Sequence, residues 1–479
     1  MMTPHTRTRW ILGLASVASL MVALDTLVVS TALSTIRLDL GASLEQLEWT
    51  VNAYNLSLAV LLVTAAGLGD RFGRRRLFAA GLGLFVAASA ACGLSRSVGE
   101  LIAARAVQGA GAALVLTLAL TLVSAAFPPE RRGAAIGILQ GVVGVAVACG
   151  PLVGGAIAEG LAWEWIFWVN VPIGLITIPL VLTRMDESHG PDAALDLWGL
   201  VLITGGALGV VWGLVRGNVA GWTSPEVIAA LAGGLVLSAA FVAWELRARQ
   251  PMLPMGFFRS RAFSAGNGAL FLTFAGLFGA VFFFAQFLQT GLGYGPLGAG
   301  LRLLPWTATL FVVAPVAGAL VDRFGERPFM SGGLLLQGLG MLWVAAIAGT
   351  DLPYPALVPA LIVAGVGTSM AIPAAQNSVV SSVPTEAVGK AAGTNSMARE
   401  LGGVFGIAVL VAVFAAAGSY ASPAAFVDGF APAVATGAGL SLLGAVVGLG
   451  LPGRRRAARA GDQAPAEPAL QGPTGLAAR

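Results

Sequence analysis

The segment Asp70–Arg75 reads Asp-Arg-Phe-Gly-Arg-Arg, and the segment Asp322–Arg327 repeats it as Asp-Arg-Phe-Gly-Glu-Arg. The two copies lie 252 residues apart, 322 minus 70. The same offset places Ala262, at the start of one apolar block, opposite Trp10, at the start of another. The repeat therefore extends beyond the motif itself. This pattern predicts two related halves arranged as parallel repeats.

Composition excludes a water-soluble fold for these halves. Hydrophobic residues make up 57% of the 479 residues and charged residues only 10%, against about 25% charged residues in soluble domains. The apolar residues form separate blocks of about 20, which is enough for a helix to cross a hydrocarbon core of about 30 Å. The blocks lack the strict alternation of barrel strands. The sequence therefore predicts an all-α polytopic membrane protein.

Charged or Pro/Gly-rich breaks divide the chain into fourteen apolar blocks. The repeat assigns six blocks to each half and two to an inserted central pair, and the first block is expected to be an uncleaved span. The expected segments are a cytoplasmic N-terminus at 1–9, an N-terminal half at 10–182, the inserted pair with its linkers at 183–250, a C-terminal half at 251–452 and a disordered cytoplasmic tail at 453–479. The blocks lie near residues 10–31, 48–69, 77–95, 100–123, 133–157, 163–182, 195–215, 226–245, 263–289, 298–320, 328–348, 355–380, 388–417 and 430–451.

Arginine placement predicts the orientation, because cytoplasmic loops carry an excess of Lys and Arg. With the N-terminus inside, most basic residues fall in inner loops, and an even number of spans keeps both termini cytoplasmic. We therefore expect a multi-pass protein of the inner (plasma) membrane. The net charge of +4 is small and distributed by membrane side, which does not indicate nucleic-acid binding. The expected outer loops hold few basic residues: Arg37, Arg96, Arg216 and Arg302.

The loop 66–76 resembles the motif that the major facilitator superfamily carries between its second and third helices. An aspartate at a helix end can pair with a nearby arginine, and glycine permits a sharp turn. The alternative is an ordinary positive-inside loop. A departure from the family pattern is Ala66, where the family usually has glycine. The resemblance implies a latch that holds one of two conformations, formed by Asp70, Arg71, Gly73, Arg74, Asp322 and Arg323.

Asp25 lies in the middle of the first apolar block, in a stretch that resembles the first-helix Asp motif of multispan drug exporters. A carboxylate at that depth costs several kcal/mol unless it is paired, hydrated or protonated. Arg105, in a stretch similar to the superfamily's Arg-Gln-Gly helix motif, is expected to tune a nearby carboxylate. A hydrogen-bonded packing carboxylate and a snorkelling arginine are the respective alternatives.

Glu400 is the second candidate for proton binding, within a stretch that resembles a second-half motif of the fourteen-span drug:proton antiporter branch. Structural pairing to another helix explains it equally well. Because adjacent side chains on a helix point about 100° apart, Glu400 is not expected to pair directly with its neighbour Arg399.

The fifth block contains Gly150, Pro151, Gly154 and Gly155, and resembles the Gly-Pro motif of exporters in this superfamily. Proline kinks a helix, and small residues let a neighbouring helix approach and slide. The resemblance therefore implies export rather than uptake. The segment 163–174 resembles the sixth-span opening of the fourteen-span branch, although an interfacial aromatic belt accounts for it as well.

Polar residues within apolar blocks are candidates for a substrate cavity between the halves, and interhelical hydrogen bonding explains them equally well. Phenylalanines of the ninth block are candidates for stacking on a substrate, with packing in the core or against lipid as the alternative. The candidate cavity residues are Thr26, Asn52, Tyr54, Asn55, Gln108, Phe284, Gln286, Gln376 and Asn377.

The sequence contains no phosphate-binding loop, catalytic Ser/His pair or metal cluster. We therefore expect no enzyme activity, cofactor or bound metal. The expected function is proton-coupled antiport that exports drugs or small lipophilic or cationic molecules by alternating access, with protons, a small-molecule substrate and membrane lipids as partners. Export of a lipid, siderophore or biosynthetic product is the alternative, and a non-transporting sensor or scaffold is a remote one. The sequence leaves substrate identity and oligomeric state open.

Overall fold

The computed structural model describes residues 4–190, 196–249, 251–384 and 387–453. Within these ranges the regular structure is helical throughout. The predicted tail from 454 onward lies outside the described residues. The long helices are α1 Pro4–Leu40, α2 Leu44–Phe72, α3 Arg74–Leu94, α4 Val98–Ala126, α5 Pro129–Gly160, α6 Trp165–Arg184, α7 Leu197–Ala220, α8 Pro225–Glu245, α9 Arg261–Gly291, α10 Pro296–Val321, α11 Glu326–Ile347, α12 Tyr354–Val380, α13 Val388–Ala417 and α14 Pro423–Gly448.

These helices confirm the predicted fourteen-helix fold. Thirteen helices in the described ranges are individually long and apolar enough to cross a membrane. The fourteenth is α5, bent by 41° between Ala135–Ala146 and Cys149–Gly160, when the two parts are taken as one span. The predicted blocks mark the apolar cores of the helices and miss their ends. For example, α1 has 37 residues, or about 55 Å at 1.5 Å per residue, which exceeds a hydrocarbon core of about 30 Å.

The repeated motif forms the same turn in both halves. Gly73, with φ of +102°, is the single residue between α2 and α3. Gly325, with φ of +86°, is the single residue between the helical segment Thr309–Phe324 and α11. A side chain at such a φ is strained, so glycine is needed at both positions.

The two halves pair their helices in the same way. In the N-terminal half, α1–α6, the main packing pairs are α1 with α5, α2 with α4 and α3 with α4. In the C-terminal half, α9–α14, the corresponding pairs are α9 with α13, α10 with α12 and α11 with α12. The equivalence confirms the repeat that the motif predicted.

The inserted pair α7–α8 packs on the outside of the seam between α2 and α13, one helix from each half. Apolar side chains from both halves and the pair fill this contact, among them Ala59, Val211 and Val404. The Arg216 guanidinium lies 3.5 Å from the Glu45 carboxylate of α2, and the Asn218 amide donates to the Ala412 carbonyl of α13. The pair therefore contacts both halves.

The halves meet at one end of the bundle, here called the distal end, which carries the α1–α2 and α13–α14 connections. The Gln289 amide donates to the Thr31 carbonyl at 2.9 Å, and the Leu297 N–H donates to Glu159 at 2.9 Å. Arg37 lies 4.2 Å from the centroid of the Tyr420 ring. The distal end is therefore closed by contacts between the halves.

The opposite, proximal end carries the glycine turns and is more open along α5. A Cβ added at Gly137, Gly141 or Gly144 would meet no atom within 4 Å in the described part of the chain. Towards the distal end, in contrast, Gly150, Gly154 and Gly155 each lie against a neighbouring helix. The conformation is thus closed distally, with an uncovered face of α5 proximally.

Candidate functional site

Asp25 of α1 and Arg105 of α4 form a buried ion pair at the centre of the N-terminal half. The Arg105 Nη1 donates to Asp25 Oδ2, and both side chains have no exposed surface. The two residues are 80 positions apart in the chain and meet because α1 packs against α4. Because Arg105 is fully buried, its interpretation as a snorkelling arginine is wrong.

Amide and hydroxyl groups complete the surroundings of this ion pair. Gln108 donates to Asp25 Oδ1 at 3.0 Å and accepts from Arg105 at 2.7 Å. Asn170 of α6 donates to the same Asp25 oxygen at 3.2 Å, and Ser89 of α3 accepts from Gln108 at 2.8 Å. Asp25 therefore accepts three hydrogen bonds, which stabilise its ionised form. We refer to Asp25, Ser89, Arg105, Gln108 and Asn170 as the charged cluster.

Asn170 and Ser89 were not among the predicted site residues. Asn170 lies within the aromatic segment 163–174, which the sequence allowed as a mere interfacial belt, and its amide was the only polar signal near the end of that segment. Ser89 is a single hydroxyl in α3, a pattern that packing serines share. Neither signal separates a cluster residue from a packing residue without the helix rotation.

Tyr54 covers the other face of Arg105. The guanidinium carbon lies 4.0 Å from the Tyr54 ring centroid, and Arg105 Nε donates to the Thr50 carbonyl at 3.2 Å. The Tyr54 hydroxyl donates to the Val22 carbonyl at 3.2 Å, and the Thr26 hydroxyl lies 3.5 Å from it. The predicted cavity residues Tyr54 and Gln108 are therefore fully buried around the ion pair in this conformation, and their place in a substrate cavity stays a prediction.

Glu400 of α13 is buried, with 3% of its surface exposed, and contacts its neighbour Arg399. The Arg399 Nε donates to Glu400 Oε1 at 2.9 Å. The expectation that these neighbours do not pair was wrong, because a long arginine side chain curves across the 100° between adjacent positions. The second carboxylate oxygen of Glu400 is buried without a hydrogen-bond partner in the described ranges. Glu400 is thus less completely satisfied than Asp25.

A small apolar cavity lies between the halves, with a free volume of about 30 Å³. On this measure a cavity needs about 10–15 Å³ to hold one water molecule, so the cleft has room for very few waters and is nearly closed at this level. Leu277 of the cavity wall lies 252 residues after Asp25, 277 minus 25, so an apolar residue stands at the corresponding place of the C-terminal half. The wall includes Leu27, Pro151, Leu277, Phe278, Trp306 and Thr368.

The phenylalanines of α9 form the core of the C-terminal half. Phe284 is 1% exposed and packs edge-on against Trp306, with ring centroids 5.1 Å apart. The Phe287 and Phe430 rings stack at 4.2 Å, and Phe283 stacks on Phe414 at 4.9 Å. Phe284 therefore packs among core rings in this conformation, which is the alternative that the sequence left open, and its contact with a substrate stays a prediction.

The polar candidates of the C-terminal half make contacts within the protein. Gln286 accepts from the hydroxyl of Tyr420 in the α13–α14 connection, and burial raises the pKa of Tyr420, so this hydroxyl stays protonated as a donor. Asn377 of α12 is exposed and donates to Glu326 of α11 at 2.9 Å, while Gln376 beside it is partly buried. The alternative of interhelical hydrogen bonding therefore describes Asn377, whereas Gln286 bonds to a connection between helices.

Asn52 and Asn55 of α2 are fully buried, and each has a carbonyl oxygen without a hydrogen-bond partner in the described part of the chain. Neither residue lines the small cavity between the halves. The Asn52 amide donates along α2 itself, to Glu48.

The glycines of α5 place its backbone against helices of both halves. A Cβ at Gly154 would collide with the Val28 carbonyl of α1, and a Cβ at Gly155 would collide with the Pro296 carbonyl of α10. A Cβ at Gly300 of α10 would in turn meet the Pro151 carbonyl. The Gly-Pro segment is therefore a joint between α1 within its own half and α10 of the other half.

The predicted latch is partly visible. Asp70 accepts from Arg74 at 2.8 Å, which confirms the expected pairing at the helix end. Glu187, which follows α6, accepts from the Arg75 backbone N–H at 2.9 Å and caps α3. Arg71 is exposed beside the Phe72 ring, and Arg323 occupies the same relation to Phe324.

The second latch carboxylate, Asp322, has a side chain that lies outside the described residues. The latch is therefore compared between the halves only at its glycine and arginine.

Sequence comparisons agree with this architecture. The family model of the Major Facilitator Superfamily matches residues 15–407, and a second match covers residues 266–475. The chain belongs to the major facilitator superfamily. The D-xylose–proton symporter, a solved structure, superposes with a TM-score of 0.65 at 17% identity, over 92% of this chain and 96% of that chain. In this member of the superfamily, the charged cluster lies entirely within the N-terminal half.

Curated relatives within the superfamily carry names of resistance and export. The tetracenomycin C resistance and export protein of Streptomyces glaucescens is 36% identical over 82% of this chain and 74% of its own length. The puromycin resistance protein of Streptomyces alboniger is 35% identical over 93% of this chain and 91% of its own length. The predicted resemblance to drug exporters of the major facilitator superfamily is thereby confirmed.

Proposed function

We propose that the protein exports small organic molecules in exchange for protons by alternating access. The resistance and export names of the relatives support the direction and the substrate class. The observation that carries proton coupling is the fully buried Asp25–Arg105 pair, two residues along α1 from Leu27 of the cleft between the halves. A buried carboxylate with a separable cation partner can bind and release one proton per cycle.

The charged cluster suggests how the proton is handled. In this conformation Arg105, Gln108 and Asn170 stabilise the ionised carboxylate of Asp25. A shift of α4 relative to α1 separates the pair, and the desolvated carboxylate then binds a proton at one of its oxygens. Arg105 stays positively charged throughout. It therefore positions and tunes Asp25 and does not carry the proton itself.

The orientation follows from the arginine distribution. We assign the proximal end, with Arg71, Arg74 and Arg323, to the cytoplasm, so that both termini are cytoplasmic in the inner (plasma) membrane. The distal contacts then close the protein to the outside. The latch residues Asp70, Arg71, Gly73, Arg74, Asp322 and Arg323 hold the proximal ends of the helices in one conformation.

Glu400 is the second proton-binding candidate. Its carboxyl group is buried and has one oxygen without a hydrogen-bond partner in the described residues. The side chain of its partner Arg399 is partly exposed to solvent. Segments 10–182 and 251–452 are the two moving halves, and the pair within 183–250 lies beside them.

Transport by inverted membrane vesicles tests the proposal. Puromycin accumulation is measured under an imposed gradient, acidic inside, for the wild type and for Asp25→Asn. We expect Asp25→Asn to abolish gradient-driven accumulation while the protein remains in the membrane at normal amount. Glu100→Gln, an exposed carboxylate bonded to the Arg96 N–H, is the matched control and should transport normally. Unchanged transport by Asp25→Asn would remove this residue from the coupling mechanism.

Export of a biosynthetic product is the second candidate. The names of the tetracenomycin C and cephamycin export proteins, the latter 36% identical over 86% of this chain, favour a dedicated product over a broad range of drugs. A panel of cationic dyes and aromatic polyketides in the same vesicle assay separates the two. Accumulation of a single chemical class would favour the dedicated exporter.

A further inference from the structure

Glu48 of α2 is a buried carboxyl group without a basic partner. It lies four residues after the first residue of α2, at the distal end, and has no exposed surface. Within the described residues, its carboxyl group accepts one hydrogen bond, from the Asn52 amide to Oε1 at 3.2 Å. The other oxygen, Oε2, is buried without a hydrogen-bond partner in the described residues. An ionised carboxylate in such a place is strongly disfavoured.

Glu48 and its neighbour Asn52 each have one buried oxygen without a hydrogen-bond partner in the described residues. Asn52, one turn further along α2, has a buried Oδ1 that also lacks a partner in the described ranges. Glu48 and Asn52 therefore share one N–H···O hydrogen bond and each retain one free acceptor oxygen. A proton on Glu48 Oε2 would donate to Asn52 Oδ1 and satisfy both atoms. A 180° rotation of the Asn52 amide exchanges its oxygen and nitrogen but does not alter this argument, because one carboxyl oxygen of Glu48 still faces the amide oxygen.

Charged groups on the helices around α2 are engaged elsewhere. On α2 itself, Glu45 lies one turn nearer the distal end, and its negative charge further disfavours ionised Glu48. No basic side chain in the described part of the chain lies within 4 Å of the Glu48 carboxyl group. The other charged groups on neighbouring helices pair as follows: Arg105 of α4 with Asp25 of α1, Arg216 of α7 with Glu45 and with Glu226 of α8, Arg399 with Glu400 of α13, and Arg37 of α1 with the Tyr420 ring.

We propose that Glu48 is a further proton-binding site, separate from Asp25 and Glu400, whose proton joins it to Asn52 in an acid–amide pair while the distal end is closed. Opening of the distal end admits water, and the carboxyl group can then lose the proton to the outside medium. Closing the distal end takes the proton up again from the same side. This proton is therefore not exchanged for substrate, and the site makes distal closure depend on external pH.

The sign of the dependence follows from linkage. The closed conformation binds the Glu48 proton more tightly than the open one, so acidic external medium favours closure. Between the two proton affinities, the ratio of closed to open molecules falls by up to about tenfold for each unit of rising pH. The inference rests on the proposed alternating access for its role, but the proton itself can be observed without transport.

Infrared difference spectroscopy tests the proton directly. Purified protein in lipid nanodiscs is compared with Glu48→Gln at neutral pH. We expect the variant to lose intensity in the carbonyl stretch of protonated carboxyl groups. Glu100→Gln, the exposed control, should lose intensity only in the carboxylate bands. If Glu48→Gln loses only carboxylate intensity, Glu48 is ionised and the proposal is wrong.

A second variant keeps the test valid if Glu48→Gln does not fold. Asn52→Leu retains Glu48 but removes its amide partner, so we expect the protonated carboxyl band to shift in frequency. An unchanged band would overturn the acid–amide pair.

The effect on closure is measured with spin labels at Leu38 and Asp351, exposed distal residues of the two halves, in a Cys92→Ala/Cys149→Ala background. We expect rising pH to lengthen the distance between the labels in the parent and not in Glu48→Gln. The same pH response in both proteins would refute a role for Glu48 in closure. Both readings are independent of export, so a failure of the vesicle assay leaves them interpretable.

Discussion

The two six-helix halves pair their helices alike, yet their centres differ in chemistry. The N-terminal half buries an ion pair with its amide and hydroxyl partners. The C-terminal half buries stacked phenylalanines, with Leu277 at the place that corresponds to Asp25. The repeat thus preserves backbone turns and helix pairings, and leaves the interior free to diverge.

The two kinds of interior differ in how their energy responds to helix movement. Buried charges require every partner to be in place, so small helix movements change their energy sharply. Stacked rings depend on contact area and tolerate small shifts. The ring cluster of the C-terminal half is therefore suited to packing, whereas the carboxylates proposed to bind protons lie in polar surroundings, Asp25 in the N-terminal half and Glu400 in the C-terminal half.

Removal of the buried cation should have the largest effect. Arg105→Leu leaves the Asp25 carboxylate without a cation, and loss of one partner of a buried ion pair costs about 3–5 kcal/mol. We expect a much lower melting temperature in detergent, largely restored in the double variant Asp25→Asn/Arg105→Leu. The exposed Arg96→Leu serves as the control. Equal melting temperatures for the single and double variants would contradict the importance of the pair.

A methyl group at the joint between the halves should have the next largest effect. Gly155→Ala places a Cβ against the α10 backbone, and overpacking of this kind costs about 1–3 kcal/mol. Because α10 belongs to the other half, we expect distal opening to relieve the clash and the variant to shift towards the distally open conformation, measured by the distance between spin labels at Leu38 and Asp351. Gly160→Ala, where a Cβ meets no described atom within 4 Å, should leave the distance unchanged. A changed label distance in both variants would mean that the change arises from the higher helix propensity of alanine in α5 and not from the clash with α10.

Truncation of the aromatic core should have a smaller effect and a different character. Phe430→Leu loses the stack with Phe287, and such ring pairs contribute about 0.5–1.5 kcal/mol. We expect a modest fall in melting temperature without a change in the pH dependence of transport. A displaced pH profile would show that the C-terminal core takes part in proton coupling, and would weaken the contrast between the halves.

Weakening the link from the inserted pair to α2 should have the smallest effect. Arg216→Gln removes ion pairs with Glu45 and Glu226 that are partly open to solvent, and such pairs contribute little and are screened by salt. We expect a small fall in melting temperature at low salt and none at high salt. A large fall that persists at high salt would assign the inserted pair a structural role comparable with the halves.

The sequence predicted the helices and selected Asp25 and Arg105 because each of these signals is local. An apolar block marks a membrane helix wherever it packs, and a lone carboxylate or guanidinium within such a block requires a partner. Asp25 and Arg105 could therefore be selected without knowledge of their contact. The predicted pairing of Asp70 with a nearby arginine is local in the same way, since Arg74 lies only four positions away, across the Gly73 turn.

The surroundings of the other candidate residues depend on how each helix is rotated and how far its side chains extend. Sequence periodicity does not determine either. Tyr54 and Phe284 are polar or aromatic residues of the right kind for a cavity, but their helices turn them into the two cores. Glu48 was not predicted as a site residue, because it is the first residue of the second apolar block, at a boundary where carboxylates are common. The contact between Arg399 and Glu400 depends on the curvature of one arginine side chain.

The separation of Asp25 and Arg105 along the chain also determines how long after Asp25 its partner is synthesised. At about 5–20 residues per second of synthesis, the separation of 80 positions corresponds to a delay of about 4–16 s. During that delay the first helix carries the Asp25 carboxyl group without the guanidinium of Arg105, and such a group is costly in lipid unless it is paired, hydrated or protonated. Asn170 of α6 is synthesised later still and adds the last hydrogen bond to Asp25. The order of helices along the chain thereby sets the order in which Asp25 gains its partners.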